Sequence, residues 1–505
     1  MSSDPARIPV IVGVGQINDR PGADEAGLDA VGLMAAAARA ADADAGGGFA
    51  ARCDWLAIVP QISFRELDPV ALLPAALGIA PAHVRQAAMA SGDTPILYLG
   101  EAANAVASGE AQVCLVAGGE ALRTAARLRQ VSGPGSGHFR AHLTASELRL
   151  RYGVLNPAEI YPLYENATRA AWGQTLAEGQ AESGLIWSKM SEVAAGSEGA
   201  WIKSPKSADE IVEATADNRP IAFPYSKFMV ANSSVNQGAA FIVTSLAAAR
   251  KAGVPQDRLI YVWAGAAAHD LEEPLARAAW DTPASMRISL ERALSVNGLK
   301  PQDLDHVELY SCFPCVPKMA RRVLDWPAGK PATVHGGLTF GGGPIGNYMT
   351  HGVAAMVQAL RRDGRRGGGN GLLFANGGHC THNHTIVISR NPPRPGLMPR
   401  AHDYQAEADA ARGPVPPLGD SFEGPVTLET YTVIYDRTGA PDYGITLSRA
   451  PDGSRVIARV DGTDEAAIAF LTDGNTEPVG SPGITSRLGD TLFWQPVHQP
   501  AKETA

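Results

Sequence analysis

The sequence predicts a duplicated α/β fold with a loop-domain insertion and a small antiparallel β-domain after it. Three observations carry this. The order strand, helix, strand, helix, strand occurs twice, with partner elements offset by roughly 250 to 260 residues, judged by matching apolar periods. A polar, helix-rich stretch separates the two copies. After a proline-rich segment, the chain changes to period-two alternation of apolar and polar residues.

Ile8 to Val14 is a nearly continuous apolar run closed by Gly15, the pattern of a strand buried on both faces. The GVGQIN at its end lacks the third glycine of a dinucleotide fingerprint and reads as a strand end. Ala26 to Ala41 predicts a helix, Trp55 to Val59 a strand, Asp93 to Ser108 a helix, and Val113 to Ala117 a strand closed by Gly118 and Gly119. In the second copy the partners are Leu259 to Ala264, Ser285 to Val296, His306 to Tyr310, Gly352 to Arg361 and Leu372 to Ala375. Strands alternating with helices imply parallel sheets covered by helices, with ligand chemistry at the strand carboxyl ends. The expected boundaries are 1–265 for the first half, with a loop domain at about 123–224, and 266–390 for the second half. Residues 391–425, with eight prolines, read as a linker. Residues 426–505 read as a barrel-like β-domain with turns at Thr438-Gly439 and Asp452-Gly453. Within the loop domain, the glycine-rich VSGPGSGHFR predicts a mobile segment. No acid, base or nucleophile cluster stands out in the β-domain, which points to packing or partner contact there.

With 505 residues, 45% hydrophobic and 19% charged, the chain has the composition of several globular domains. A net charge of −9 argues against nucleic acid. Five cysteines, odd in number and thinly spread, do not read as a disulfide framework, which fits a reducing cytoplasm. No signal peptide is legible at the start, and no apolar run reaches the ~20 residues of a membrane span.

Two stretches concentrate chemistry. Thr333 to His351, TVHGGLTFGGGPIGNYMTH, holds six glycines in nineteen residues before the apolar helix VAAMVQALRR. Such a run marks either a place where a ligand meets backbone at a helix start, or a tight packed loop. In FANGGHCTHNHTIVI, Cys380 stands among His379, His382 and His384, the setting of an activated thiolate or a proton relay. Its spacing is too short for a regular structural zinc motif, so no metal is expected. Cys312 and Cys315 read as a site-lining pair, and Cys53 and Cys114 as core.

The duplicated halves, the insertion and four local motifs resemble the thiolase superfamily over about residues 8 to 390. The likeness is to its sterol-carrier-type and acetyl-CoA acetyltransferase-like branch, some members of which carry an extra C-terminal β-domain. The resemblance implies a five-layered αβαβα fold whose loop domain helps bind coenzyme A. The family's nucleophile turn, Cys-x-Ser-Gly, is matched by Met89-Ala90-Ser91-Gly92; a thioether cannot form the acyl-enzyme that a thiolate forms. The His-Asp-Cys-Phe motif is matched by Tyr310-Ser311-Cys312-Phe313, where a phenol can donate to an oxyanion. The Gly-Gly-Leu and Gly-His-Pro-x-Gly pair is matched by Gly336-Gly337-Leu338 and Gly342-Gly343-Pro344-Ile345-Gly346, so Gly343 replaces the oxyanion histidine. Tyr348 and His351 follow closely and offer replacement donors. The acid/base loop is matched by the segment around Cys380.

The implied catalytic set is Cys380, His379, His384, Tyr310, Cys312, Tyr348 and His351. The implied substrate and coenzyme A set is Ser91, Gly342, Gly343, Gly346, Asn376 and Gly377, around the degenerate nucleophile position Met89. The implied activity is acyltransferase-like, making or breaking a C–C bond beside a coenzyme A thioester. A retro-aldol lyase and a non-catalytic acyl-CoA or lipid binder are the alternatives. Coenzyme A is expected as substrate or ligand, with no tightly bound cofactor, in a cytoplasmic homodimer.

Overall fold

The computed structural model describes residues 4–22, 25–132, 145–281, 283–363, 369–394 and 403–497. Residues 133–140 of VSGPGSGHFR and residues 395–402 of the expected linker lie outside the described residues. The first half carries β1 (Pro9–Asn18), α1 (Ala30–Asp44), β2 (Trp55–Ile58), α2 (Pro69–Leu77), β3 (His83–Gln86), α3 (Thr94–Ser108) and β4 (Val113–Ala121). The loop region follows with α4 (Leu122–Ser132), α5 (Glu147–Tyr152), α6 (Pro157–Ala171), α7 (Leu176–Gly196), α8 (Ala208–Val212), β5 (Pro220–Ala222) and β6 (Tyr225–Ser226). The chain returns through β7 (Asn236–Ser245) and α9 (Leu246–Lys251). The second half is β8 (Ile260–His269), α10 (Ala284–Val296), β9 (His306–Leu309), α11 (Cys315–Val323), α12 (Tyr348–Arg362), β10 (Asn370–Gly377) and β11 (His382–Ser389).

Nine strands hydrogen-bond in the order β3-β2-β4-β7-β1-β8-β11-β10-β9. Read outward from the β1–β8 junction, the halves mirror each other: β1 matches β8, β7 matches β11, β4 matches β10 and β2 matches β9. Directions match too. β7 is antiparallel to β1 and β4, β11 is antiparallel to β8 and β10, and β2–β4 and β9–β10 are parallel. The expected purely parallel sheets are therefore corrected to mixed ones. β10 and β11 are joined by a four-residue turn, and so short a connection joins only antiparallel strands. The loop region leaves β4 and re-enters at β7 from the same end of the sheet, which reverses that strand as well.

α3 and α12 touch strands of both halves and each other, whereas α1 packs on β1, β4 and β7, and α10 on β8 and β11. The result is helix, sheet, helix, sheet, helix. The central layer is apolar on all sides, so β1, β4 and β7 read as continuous hydrophobic runs and are buried along nearly their whole length. The strand at Val113 lies inside the sheet, between β2 and β7; the strands at the two ends of the order are β3 and β9.

Beyond β11 come α13 (Gln405–Arg412), β12 (Leu418–Gly419), β13 (Gly424–Tyr435), β14 (Pro441–Arg449), β15 (Arg455–Asp461), α14 (Glu465–Thr472), β16 (Pro482–Leu488) and β17 (Thr491–Pro496). β13 pairs β14, β14 pairs β15, β15 pairs β17, β17 pairs β16, and β16 pairs β13, so five strands close a small barrel. β5 from the loop region adds to β13 at Ile434 and Ala222. The stretch read as a linker contains α13, because QAEADAAR is made of good helix formers and Ala408 buries against Ala268 and Ile288.

The barrel is fastened to α6. Thr430 Oγ1 donates to the Leu163 carbonyl at 2.6 Å, and Asn166 Nδ2 to the Tyr431 carbonyl at 2.9 Å. The fully buried Arg455 donates to Glu429 and to the carbonyls of Leu275 and Arg277 at 2.9 and 2.6 Å. Among the described residues, no helix is long and apolar enough to cross a membrane.

Candidate active site

The turn at Met89–Asp93 precedes α3 in the layer between the sheets, and three segments of the second half close on it. Gly92 is the tightest point: a side chain there would run into the Tyr310 hydroxyl and the Asn376 carbonyl. Gly377 lies against Ser91 and Asp93, and Gly346 against the Ser91 backbone. Strand register explains the convergence. Tyr310 follows β9, whose neighbour β10 ends in Asn376 and Gly377, and the Tyr310 amide donates to the Phe374 carbonyl at 3.1 Å. Met89 itself points outward and is 67% exposed, so it forms the rim.

Asp93 is the hub. It stands at the N-cap of α3, yet its side chain makes no capping hydrogen bond. The carboxylate instead accepts from Ser91 Oγ and lies 3.1 Å from His384 Nδ1. Burial alone would raise its pKa; the His384 and Ser91 hydrogen bonds and the histidine charge outweigh that and hold it below the usual carboxylate range. His382 lies between Asp93, at 3.9 Å, and Glu272, at 2.9 Å, and its ring stacks on His269. A proton on His384 Nδ1 facing the carboxylate leaves Nε2 free as the acceptor in the neutral ring.

The thiols behave otherwise than expected. Cys380 is fully buried, with a φ of 63°, and burial followed by the neighbouring Cys312 pushes its pKa well up. Cys312 is pushed up to about 12 by burial. Burial therefore opposes the predicted activation of Cys380 by adjacent imidazoles and favours the thiol form of both residues. His379 does not supply a cation either, because burial and then Arg149 and Arg277 press it down to about 3.

Several groups of the glycine-rich run meet protein partners. Gly343 N–H donates to the Asn232 carbonyl at 2.8 Å, and Gly342, with a φ of 104°, sits on the Gln237 side chain. The Tyr348 hydroxyl donates to the buried Glu308 at 2.7 Å. His351 bonds Gln16 at 2.8 Å and stacks on His335. So Tyr310, Cys312, Cys380, Asn376, Gly377, Ser91, Gly346 and His384 share one neighbourhood; Gly342, Gly343, His351 and the Tyr348 hydroxyl are spent elsewhere.

Two members escaped the sequence reading, Asp93 and Tyr161. An Asp before Thr94-Pro95 reads as an ordinary helix cap. Tyr161 lies on α6, buried from Glu159 to Arg169 despite its polar sequence, and that mismatch was the available signal. Its hydroxyl donates to Asn376 Oδ1 at 3.0 Å and its ring stacks on Phe313 at 4.8 Å.

Two expectations follow from this packing. Gly92→Ala should cost about 1–3 kcal/mol by overpacking. Gly100→Ala, in the same helix but facing open space, should gain up to about 1 kcal/mol. Urea unfolding of both variants checks the contrast.

The second expectation concerns acid. Burial lowers His335 to about 4 and His379 to about 3, and it holds His351 well below the usual imidazole range. Each ring is neutral in the fold but takes a proton in the unfolded chain near pH ~6.5, so the unfolded state gains protons as pH falls. Their stability is complete above that pH and is lost as pH drops toward 4 and 3. Glu120 and Glu308, raised by burial to about 7, oppose this, costing stability as pH rises from the ordinary glutamate value of 4.5 to about 7. Melting temperature should therefore fall on acidification, most steeply below pH ~4.5, where the histidines act unopposed. His335→Gln should flatten the profile.

A family model, the thiolase-like protein type 1 additional C-terminal domain, matches residues 404–487. None of the curated proteins compared with the chain matches it. Among solved structures, the fold is similar to the crystal structure of a monomeric SCP2-thiolase like protein type 1 from Mycobacterium smegmatis. That likeness has 29% identity, covers 97% of this chain and 99% of that one, and has a TM-score of 0.81. The Ltp2-ChsH2(DUF35) aldolase matches 77% of this chain and 99% of its own, with 19% identity and a TM-score of 0.59. Human mitochondrial 3-ketoacyl-CoA thiolase in complex with CoA matches 76% of this chain and 98% of its own, with 17% identity and a TM-score of 0.54.

Proposed function

We propose, from the premise that the chain is a thiolase-like protein with an additional C-terminal domain, that it makes or breaks a C–C bond beside a coenzyme A thioester carbonyl without an acyl-enzyme. The observation that carries this is the convergence of Tyr310, Asn376 and the Ser91–Asp93–His384 group on a turn with no thiol. A protonated phenol is an oxyanion donor, and burial holds Tyr310 well above its usual pKa. A carboxylate-held imidazole is a proton relay.

The direction that suits these groups is retro-aldol. His384 Nε2 takes the hydroxyl proton of a β-hydroxyacyl thioester, and the Cα–Cβ bond breaks to release an aldehyde or ketone. The thioester enolate rests on Tyr310 and takes a proton back at Cα. The structural likeness to an aldolase supports the same direction. Acyl transfer through Cys380 or Cys312 would need a thiolate that burial opposes.

Incubation with β-hydroxyacyl- and 3-ketoacyl-CoA, followed by mass spectrometry of products and intact protein, tests this. A carbonyl product with no protein adduct is expected; an adduct on either cysteine would replace the reading with acyl transfer. The non-catalytic acyl-CoA binder draws support from one observation. The groups that converge are packed together, and the cavities beside the barrel, of about 300 and 260 Å³, lie away from them. Tight coenzyme A binding with no turnover would select that reading.

A homodimer would form through β3, the terminal strand of the first half, where Val84 is exposed beside Val70 and Leu72 of α2 and Met89. The Mycobacterium smegmatis relative is a monomer. Light scattering separates a 52.8 kDa particle from one of twice that mass. A cytoplasmic setting fits five free thiols.

A further inference from the structure

A line of buried side chains runs from the appended segment into the candidate site. Tyr161 OH donates to Asn376 Oδ1 at 3.0 Å. Asn376 Nδ2 donates to Asn383 Oδ1 at 3.0 Å, across the directly paired residues of the β10–β11 hairpin. Asn383 Nδ2 donates to Ser285 Oγ at 2.7 Å, and Ser285 Oγ donates to Asp270 Oδ2. Asp270 Oδ1 accepts from Arg412 Nε at 3.2 Å. From Tyr161 to Ser285 every donor points the same way, toward the Asp270 carboxylate, which Arg412 meets from the other end; Asn376, Asn383 and Ser285 are 1%, 0% and 0% exposed.

Orientation is what such a line provides. A buried primary amide has two nearly isosteric settings, and its neighbours select one. Asn376 presents its oxygen to Tyr161 and its nitrogen to Asn383; Asn383 presents its oxygen in turn, and its nitrogen donates to Ser285 Oγ and to the Cys380 carbonyl, at 2.7 and 3.3 Å. The Ser285 proton then needs an acceptor, and Asp270 Oδ2 is that acceptor. Arg412 Nε holds the other oxygen of the same carboxylate, and its second guanidinium nitrogen donates to the His269 carbonyl at 3.3 Å. Gln405, on the same helix, exchanges two hydrogen bonds of 2.8 Å with the His269 backbone, so the helix is clamped to the end of β8. α13 lies outside the duplicated halves and within the segment matched by the additional-domain model.

We infer that Arg412 is a positioning residue: through Asp270, Ser285 and Asn383 it sets the side-chain orientation of Asn376, and with it the Tyr161 hydroxyl beside Cys312 and Cys380. The appended segment is then part of the site, reaching it by α13 rather than by the barrel. The inference rests on the proposed site only where turnover is concerned; the orientation itself is observable without a reaction.

The test uses the full chain, labelled with 15N at asparagine side chains, as wild type, Arg412→Gln and Arg412→Lys. The amide NH2 signals are assigned by Asn376→Asp and Asn383→Asp. In Arg412→Gln both signals are expected to shift or split, and Arg412→Lys, which keeps the charge, should restore most of the wild-type pattern. Where turnover is measurable, kcat should fall on the order of tenfold with KM unchanged, as expected of a misplaced group rather than lost binding. If Arg412→Gln lowers the melting temperature while both amide signals stay in place, Arg412 only fastens the helix and the inference fails. If Arg412→Gln does not fold, the Lys variant decides: an unfolded or shifted spectrum from it overturns the claim that charge suffices. Absence of turnover in wild type counts against the proposed function and leaves the amide result standing.

Discussion

Lys318→Met is expected to lower the free energy of unfolding by about 3–5 kcal/mol, measured by urea denaturation at neutral pH. Lys318 and Glu165 face each other at 2.5 Å with side chains 0% and 2% exposed. Lys318 Nζ also donates to the Gly179 carbonyl at 2.8 Å, and Glu165 accepts from the Tyr225 hydroxyl at 2.8 Å. These four residues belong to α11, α6, α7 and β6, so the pair joins the loop region to the second half. Removing the ammonium leaves a carboxylate in the interior with one neutral donor. The cost comes from that stranded charge more than from the attraction lost. The double variant Glu165→Leu with Lys318→Met should therefore recover most of the stability, since a well-packed apolar pair often replaces a buried ion pair at little cost. A loss under about 1 kcal/mol in the single variant would mean that solvent reaches the carboxylate.

His384→Ala is expected to reduce turnover of a β-hydroxyacyl thioester by roughly 10²–10⁴-fold, the usual contribution of a positioned proton relay. Asp93→Asn should approach the same loss, because an amide at that place no longer fixes the Nδ1 proton. Tyr310→Phe should lose roughly 10²-fold or more, the value of one oxyanion donor. Met89→Ala should leave the rate unchanged, since the thioether lies at the rim. Melting temperatures measured alongside separate chemistry from folding. If His384→Ala turns over at the wild-type rate, the proton moves by another route, and Cys380 is the next group to replace.

The two-copy architecture was legible because β1 and β8, α1 and α10, and α3 and α12 repeat the same periods at a nearly constant offset. The change to alternation after residue 425 announced the barrel strands. Strand direction was less legible. Nothing local in β7 or β11 says which way it runs; the length of the connection before it does. The helix at Gln405–Arg412 was hidden by the prolines on either side of it.

The site divides in the same way. Residue identity alone determined that position 89 has no thiol, that a phenol stands at 310, and that glycines occupy 92, 342 and 343. What those groups do was decided by the fold. His384 meets Asp93, and Tyr161 meets Asn376, across 291 and 215 residues of chain, through sheet register that no local pattern encodes. Burial then biases the charge each group carries, pushing cysteines that look reactive in the sequence toward the thiol and three histidines toward the neutral ring. Chemistry at a site depends on neighbours and solvent access, and both are properties of the packed chain.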